Sequence, residues 1–279
     1  MNDESEASSK PPATEQSQKE DVLDELSAPN TCMIYEVIRR DGEEELNRPT
    51  PSLIWSGIAA GVLISFSVLG EAIFRTYLPK SSGSFLIENL GYSLGFLLVI
   101  LGRMQLFTEN TITTILPLIV EFKRNMIYRV ARLWTIVLLA NVVGAFLITA
   151  LYALTPAIPS DLTPAMISLS EHAVKMPPID GFFRAIPAGI LIAAIVWMIP
   201  QYQSSVFLIV LVFTWLIAAG DFTHIVAGSV EMAYLIWLGN LQIYDAIFGF
   251  FLPVLAGNVV GGTLIFSFLV WGQVKDEID

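Results

Sequence analysis

Residues 205–238 read SVFLIVLVFTWLIAAGDFTHIVAGSVEMAYLIWL. The run is apolar and long enough to cross a bilayer, for which about 20 residues suffice. A polar knot, Gly220-Asp221-Phe222-Thr223-His224, interrupts it. Ionisable groups within a membrane are costly and mark a cavity or pathway. Gly220 and Gly228 bracket the knot, so the reading is a broken transmembrane helix lining a pathway. His224 is one of two histidines in the chain.

Composition agrees with a membrane protein. Of 279 residues, 54% are hydrophobic and 15% charged, whereas soluble domains carry about a quarter charged residues. Six segments reach membrane length: 51–74, 86–120, 131–154, 182–202, 205–238 and 246–271. The second and fifth are too long for one straight span. The N-terminus is acidic and lacks the apolar core of a cleavable signal. The lone Cys32 excludes an internal disulfide framework and a cysteine metal cluster.

The net charge is −11, and residues 1–50 carry 13 acidic against 5 basic side chains. Residues 1–32 are therefore expected to be a disordered acidic tail, with no affinity for nucleic acid. Within 33–48, Ile34, Val37 and Ile38 share a helical face beside Arg39 and Arg40. An interfacial amphipathic helix is expected there, with a solvated linker helix as the competing reading. Residues 49–272 are expected to form one six-span domain around that pathway and 273–279 a cytoplasmic tail. Basic residues cluster at Lys123, Arg124, Arg129 and Arg132 and at Arg39, Arg40 and Arg48. The positive-inside rule then places both termini in the cytoplasm of a multi-pass inner-membrane protein.

An internal repeat runs through the spans. Ile58-Ala-Ala-Gly61-Val-Leu-Ile64 echoes Ile186-Pro-Ala-Gly189-Ile-Leu-Ile192. Ala140-Asn141-Val-Val-Gly144 echoes Gly257-Asn258-Val-Val-Gly261. Phe107-Thr108 in span two matches Phe222-Thr223 in span five. Three spans per copy is an odd number, so the copies enter the membrane from opposite sides. The expected architecture is all-α, with six transmembrane helices in an inverted 3+3 repeat and spans two and five broken. The pairs Gly57/Gly61, Ala140/Gly144, Ala185/Gly189 and Gly257/Gly261 read as close-packing positions. Asn141 and Asn258 can bond backbone freed at the breaks; pore contact is the other reading for Asn258.

Span two repeats the theme. Arg103, Gln105, Glu109 and Asn110 stand deep in apolar sequence beside Leu106-Phe107-Thr108. The two interruptions are expected to meet, with Leu106 and Phe107 as an apolar constriction and Thr108 as the polar contact. Arg103 with Glu109 or Asp221 reads as an intramembrane charge network, or as solute contact. His224 is the midplane group that titrates near neutrality when unperturbed; satisfying a helix end is its alternative role.

Leu106-Phe107-Thr108-Glu109-Asn110 after a glycine-rich half-helix resembles the LFT loop of the formate/nitrite transporter family. The histidine of span five and Pro253-Val-Leu-Ala-Gly257-Asn258-Val-Val-Gly261-Gly262 fit the same pattern, and the likeness covers about 45–272. Arg40–Leu46, Gln105–Thr111 and Gly220–Val226 look most like its YfdC-type branch. The resemblance implies an aquaporin-like fold, a homopentamer with one pore per protomer, and passage of small monovalent anions such as formate or nitrite past a central histidine. It assigns pore positions to Leu106, Phe107, Thr108, His224 and Asn258, and apolar gate positions to Tyr92, Phe96 and Leu216. Thr223 stands where members of the family have Glu, Asp221 is extra, and Arg103 replaces a small residue. Their outer lysine has no aligned counterpart, Lys175 being offset by about two positions.

A channel or transporter for small weak-acid anions is the leading function. A pore of the same fold for a cation or a neutral solute is the alternative, to be favoured if Glu109, Asp221 and Glu231 face the pathway. No zinc-ligand spacing, Ser/His dyad or phosphate loop points to an enzyme, metal or cofactor. The expected partners are the lipid bilayer, other copies of the chain and the small ion.

Overall fold

The computed structural model describes residues 29–81 and 83–277. The expected tail therefore lies outside the described residues up to position 28, as do positions 278–279. Helix α1, Thr31–Asn47, is capped by the Asn30 side chain, which accepts from the Met33 N–H at 2.8 Å. Such a cap satisfies one of the amides left free at a helix start. Ile34, Tyr35, Ile38, Gly42 and Leu46 form its buried stripe, close to the spacing of one helical face. A β-carbon on Gly42 would lie 1.9 Å from the Thr113 carbonyl oxygen, so α1 docks backbone to backbone.

The helices then run in order. They are α2 (Thr50–Tyr77), α3 (Ser84–Leu101, with a 3₁₀ turn at Asn89–Gly91), α4 (Phe107–Thr113), α5 (Ile115–Val120) and α6 (Arg124–Leu154). There follow α7 (Thr163–Val174), α8 (Pro178–Met198), α9 (Val206–Ala219), α10 (Ile225–Trp237) and α11 (Asp245–Val274). Helix α11 contains two π-helical stretches, Asp245–Phe251 and Val260–Ser267.

Helices α2, α3, α6, α8 and α11 are each long and apolar enough to cross a membrane. The fifth expected segment, 205–238, is divided between α9 and α10, two shorter apolar helices. The second, 86–120, is divided among α3, α4 and α5. Large apolar side chains cover the outside, among them Leu139, Leu147, Leu208 and Leu269. Asn141, Asn258, Thr108, Thr111 and Ser229 are wholly or almost wholly buried inside. A soluble protein would not expose so much apolar surface.

Two helix crossings build the frame, and both depend on glycine. At the crossing of α2 and α6, a β-carbon on Gly61 would meet the Asn141 carbonyl oxygen at 2.0 Å, and one on Gly144 the Ile58 oxygen at 2.2 Å. At the crossing of α8 and α11, one on Gly189 would meet the Asn258 oxygen at 2.4 Å, and one on Gly261 the Ile186 oxygen at 2.1 Å. The two crossings thus use corresponding residues. Close backbone approach yields dispersion contacts where lipid offers no hydrophobic drive between helices. The small residues singled out in the sequence are packing positions.

Candidate functional site

Two turns with the same hydrogen bonding define the site. After α3, the N–H of Arg103 donates to Ile100 and that of Met104 to Val99. After α9, the N–H of Asp221 donates to Ala218 and that of Phe222 to Ile217. Both are Schellman closures, which require a left-handed residue, usually glycine. Here Arg103 (φ 51°) and Asp221 (φ 52°) supply it.

Beyond each turn the chain runs extended into the protein and starts a new helix. An asparagine secures each extended stretch. Asn141 accepts from the Phe107 N–H at 2.9 Å and donates to the Gly57 and Gln105 carbonyls at 2.9 and 2.8 Å. Asn258 accepts from the Ile225 N–H at 2.8 Å and donates to the Ala185 and Thr223 carbonyls at 2.8 and 3.0 Å. Each side chain satisfies three buried backbone groups that no helix can serve.

These bonds pair Phe107 with Ile225, hence Leu106 with His224 and Arg103 with Asp221. The alignment of Phe107-Thr108 with Phe222-Thr223 is therefore corrected by a shift of three residues. The dipeptide match was incidental; the backbone bonds to asparagine set the register.

His224 is the N-cap of α10. Its Nδ1 accepts from the Ala227 N–H at 3.3 Å, which requires a bare Nδ1. The ring hydrogen then sits on Nε2, 2.7 Å from the Thr108 hydroxyl. Thr108 is fully buried and His224 is 2% exposed. Phe96 packs edge-on to the imidazole at 5.0 Å, and Tyr92 packs on Phe96 at 5.1 Å. Leu106 and Phe107 are buried, with Phe107 edge-on to Trp134.

A vestibule of about 330 Å³ opens on one side of His224. Tyr92, Glu71 and Glu231 line it, together with Arg75, His172 and Asp221. Arg75 donates to Glu88 at 2.6 Å and to Ser168 at 3.2 Å. Asp221 is bound by Arg184 and lies 2.9 Å from His172 Nε2.

Several expected site residues fall elsewhere. Arg103, Glu109 and Asp221 form no network. Arg103 is exposed near Asp41 of α1, whereas Asp221 pairs with Arg184 on the vestibule side. The long turns carry these two residues away from the centre, out of each other's reach. Leu216 is 38% exposed on α9 and does not line the vestibule. Lys175 is bound to Glu171. On the α1 side, Gln105 donates to Glu45 at 2.8 Å, tying α1 to the turn after α3.

Glu71, Arg75, His172 and Arg184 were not singled out in the sequence. A lone carboxylate in the first apolar span is a signal for Glu71; the others sit near helix ends, where charge is ordinary. Among the described residues no cluster suited to a metal ion occurs.

The profile of the family described as Formate/nitrite transporter matches residues 33–272. The chain is 42% identical over 257 residues to inner membrane protein YfdC of Escherichia coli (strain K12), covering 92% of this chain and 83% of that protein. It is 25% identical over 239 residues to formate channel FocA of Haemophilus influenzae, covering 75% and 82%. Among solved structures, an FNT family ion channel has a TM-score of 0.73 at 17% identity, covering 86% of this chain and 98% of that one. A pentameric formate channel with formate bound has a TM-score of 0.68 at 17% identity, covering 81% and 98%. At that identity the two structures speak for the fold.

Proposed function

We propose, since the chain belongs to the formate/nitrite transporter family, that it is a membrane channel for small monovalent weak-acid anions such as formate or nitrite. A transporter family, rather than an enzyme family, is the context for every residue of the site. The observation that carries the reading is the Thr108–His224 contact at the inner end of the vestibule.

The solute path runs from the vestibule past Tyr92 and Phe96 to Thr108 and His224, with Leu106 and Phe107 beyond. A bare anion faces a large desolvation cost between such apolar walls. The Nε2–H of His224 is a fixed donor that offsets part of that cost. A proton on Nδ1 would displace the Ala227 N–H from the helix cap. Asn141 and Asn258 are positioning residues, since all their bonds go to backbone.

The six-span inverted repeat is part of this proposal. The twin crossings, the twin asparagines and the twin left-handed turns support it. Spans two and five are then α3–α5 and α9–α10, each broken at its turn. Both termini lie in the cytoplasm, by the basic residues at 123–132, and the vestibule opens outward. Helix α1 lies at the cytoplasmic interface beneath the spans, and the segments before and after the channel domain are cytoplasmic tails. The relative named an inner membrane protein supports an inner-membrane location, and the pentameric channel of the same fold supports a homopentamer.

The test is flux through purified protein in liposomes, with formate, nitrite, chloride and potassium compared. Formate and nitrite are expected to pass. Potassium flux without either would favour a cation pore and overturn the reading.

A further inference from the structure

Three polar side chains in the vestibule have no partner. Glu71, Tyr92 and Glu231 line it at 6%, 7% and 8% exposure. Among the described residues, none of the three side chains makes a hydrogen bond or an ion pair. Buried polar groups are as a rule hydrogen-bonded, so three orphans facing one cavity mark a place for a ligand. They come from three helices, α2, α3 and α10. Glu231 stands seven residues after His224, nearly two turns along the same face of α10. All three share the cavity with His224.

The cations nearby are committed elsewhere. Arg75, one turn along α2 from Glu71, binds Glu88 and Ser168. Arg184 and His172 both lie on Asp221. An ionised carboxylate buried without a counter-charge is costly, and two in one cleft repel each other. The form such a cleft tolerates is the neutral acid, which carries an O–H donor.

We propose that Glu71, Glu231 and Tyr92 form a solute-binding site of neutral O–H donors, in which two protonated glutamates and a phenol receive the anion before it reaches His224. The inference rests on the channel function proposed above and names a second place where the solute is held.

The chemistry is that of an acid bonded to an anion. A carboxylic acid in an apolar site can donate to an oxyanion. Such O–H···O⁻ bonds are short and about twice as strong as neutral ones. An anion with two oxygens, such as a carboxylate or nitrite, offers acceptors to more than one donor. No proton changes owner: each acid keeps its own, and the anion leaves as it came. Tyr92 packs on Phe96 and Phe96 on the His224 ring, so the next donor on the route is the His224 Nε2–H.

Infrared difference spectra of the purified channel, with and without formate at one mildly acidic pH, test the site. Isotope-labelled formate separates the solute's bands from the protein's. In wild type the C=O stretch of a protonated carboxyl is expected to shift when formate binds, and Glu71→Gln/Glu231→Gln should lack that band. No shifting band of a protonated carboxyl in wild type would overturn the proposal, an arm that needs no variant to fold. Formate flux into liposomes gives a second reading. Losing one hydrogen bond to a charged solute should raise the half-saturating formate concentration about tenfold in Glu71→Leu or Glu231→Leu. Tyr92→Phe, which deletes only the hydroxyl, should raise it too. Glutamine keeps an N–H donor at nearly the same size and should recover part of the leucine loss, which a space-filling role would not show. Assembled leucine variants with wild-type half-saturation would sink the site and leave the channel standing. Wild type passing no formate would bring down the channel reading, and the site with it.

Discussion

The Thr108 hydroxyl and His224 Nε2 lie 2.7 Å apart although 116 positions separate them in the chain. Neither could reach the other from a continuous helix. Each is delivered by an extended stretch that leaves a left-handed turn and is held by a buried asparagine. The contact is thus the product of two corresponding devices, and each can be tested separately.

His224 both caps α10 and donates toward Thr108. Asparagine is among the best N-cap residues, so His224→Asn should keep the helix start and the assembly. It removes the imidazole and its Nε2–H toward the path. Formate flux is expected to fall at each pH tested. His224→Phe should chiefly block the path. If both variants follow wild type at every pH, the ring is a structural cap outside the pathway.

Asn141→Ala and Asn258→Ala each strand three buried backbone groups. An unsatisfied buried group costs roughly 1–3 kcal/mol, less where the membrane-embedded unfolded state finds other partners. Both variants should lose thermal stability in detergent, and by similar amounts because the bonds correspond. A large loss in one and none in the other would count against the equivalence of the two devices.

Much of this was legible in the sequence, and the limits have physical causes. The small-residue pairs and the two asparagines were readable because close crossing and backbone satisfaction each demand particular residue types. The meeting of Thr108 with His224 was expected from the two polar interruptions facing each other. The register at the breaks did not, because Arg103 and Asp221 occupy positions where glycine is the usual signal. With that cue missing, the turns looked like mid-membrane interruptions and their charges like partners. Leu216 was misplaced for a related reason. In α9 nearly every side chain is apolar, and periodicity cannot tell which face turns inward. The vestibule is built from α2, α3, α7, α10, α11 and the end of α9 with the turn after it, a convergence that no single stretch announces.

Helix α1 should loosen in acid. The Arg39 guanidinium, 2.7 Å away and helped by Arg40, holds the Glu36 carboxyl down at about 2. A depressed carboxyl adds stability that is full above its unfolded value of about 4.3. That contribution is lost as pH falls through about 2. Because the pair is partly exposed, the effect is modest. Hydrogen exchange of the α1 amides should rise as pH falls through that window, beyond the intrinsic trend. Glu36→Gln should remove the extra rise; an identical profile in the variant would assign it elsewhere.

The two left-handed turns make opposite predictions for the same substitution. A residue with a β-carbon in this conformation costs roughly 1–2 kcal/mol, and glycine returns about 0.5–1 of that as chain entropy lost on folding. Arg103 is exposed and makes no ion pair among the described residues, so Arg103→Gly should hold stability level or raise it by up to about 1.5 kcal/mol. Asp221 has the same strain but also binds Arg184 and His172. Asp221→Gly removes that anchor and leaves the Arg184 guanidinium free beside the vestibule. Stability should then fall despite the relief of strain, and a new positive charge should appear on the solute's route. Thermal unfolding in detergent and nitrate flux in liposomes separate the two cases. Should Asp221→Gly prove as stable as wild type and equally selective, the Arg184–Asp221 pair neither holds the turn nor sets the charge of the vestibule.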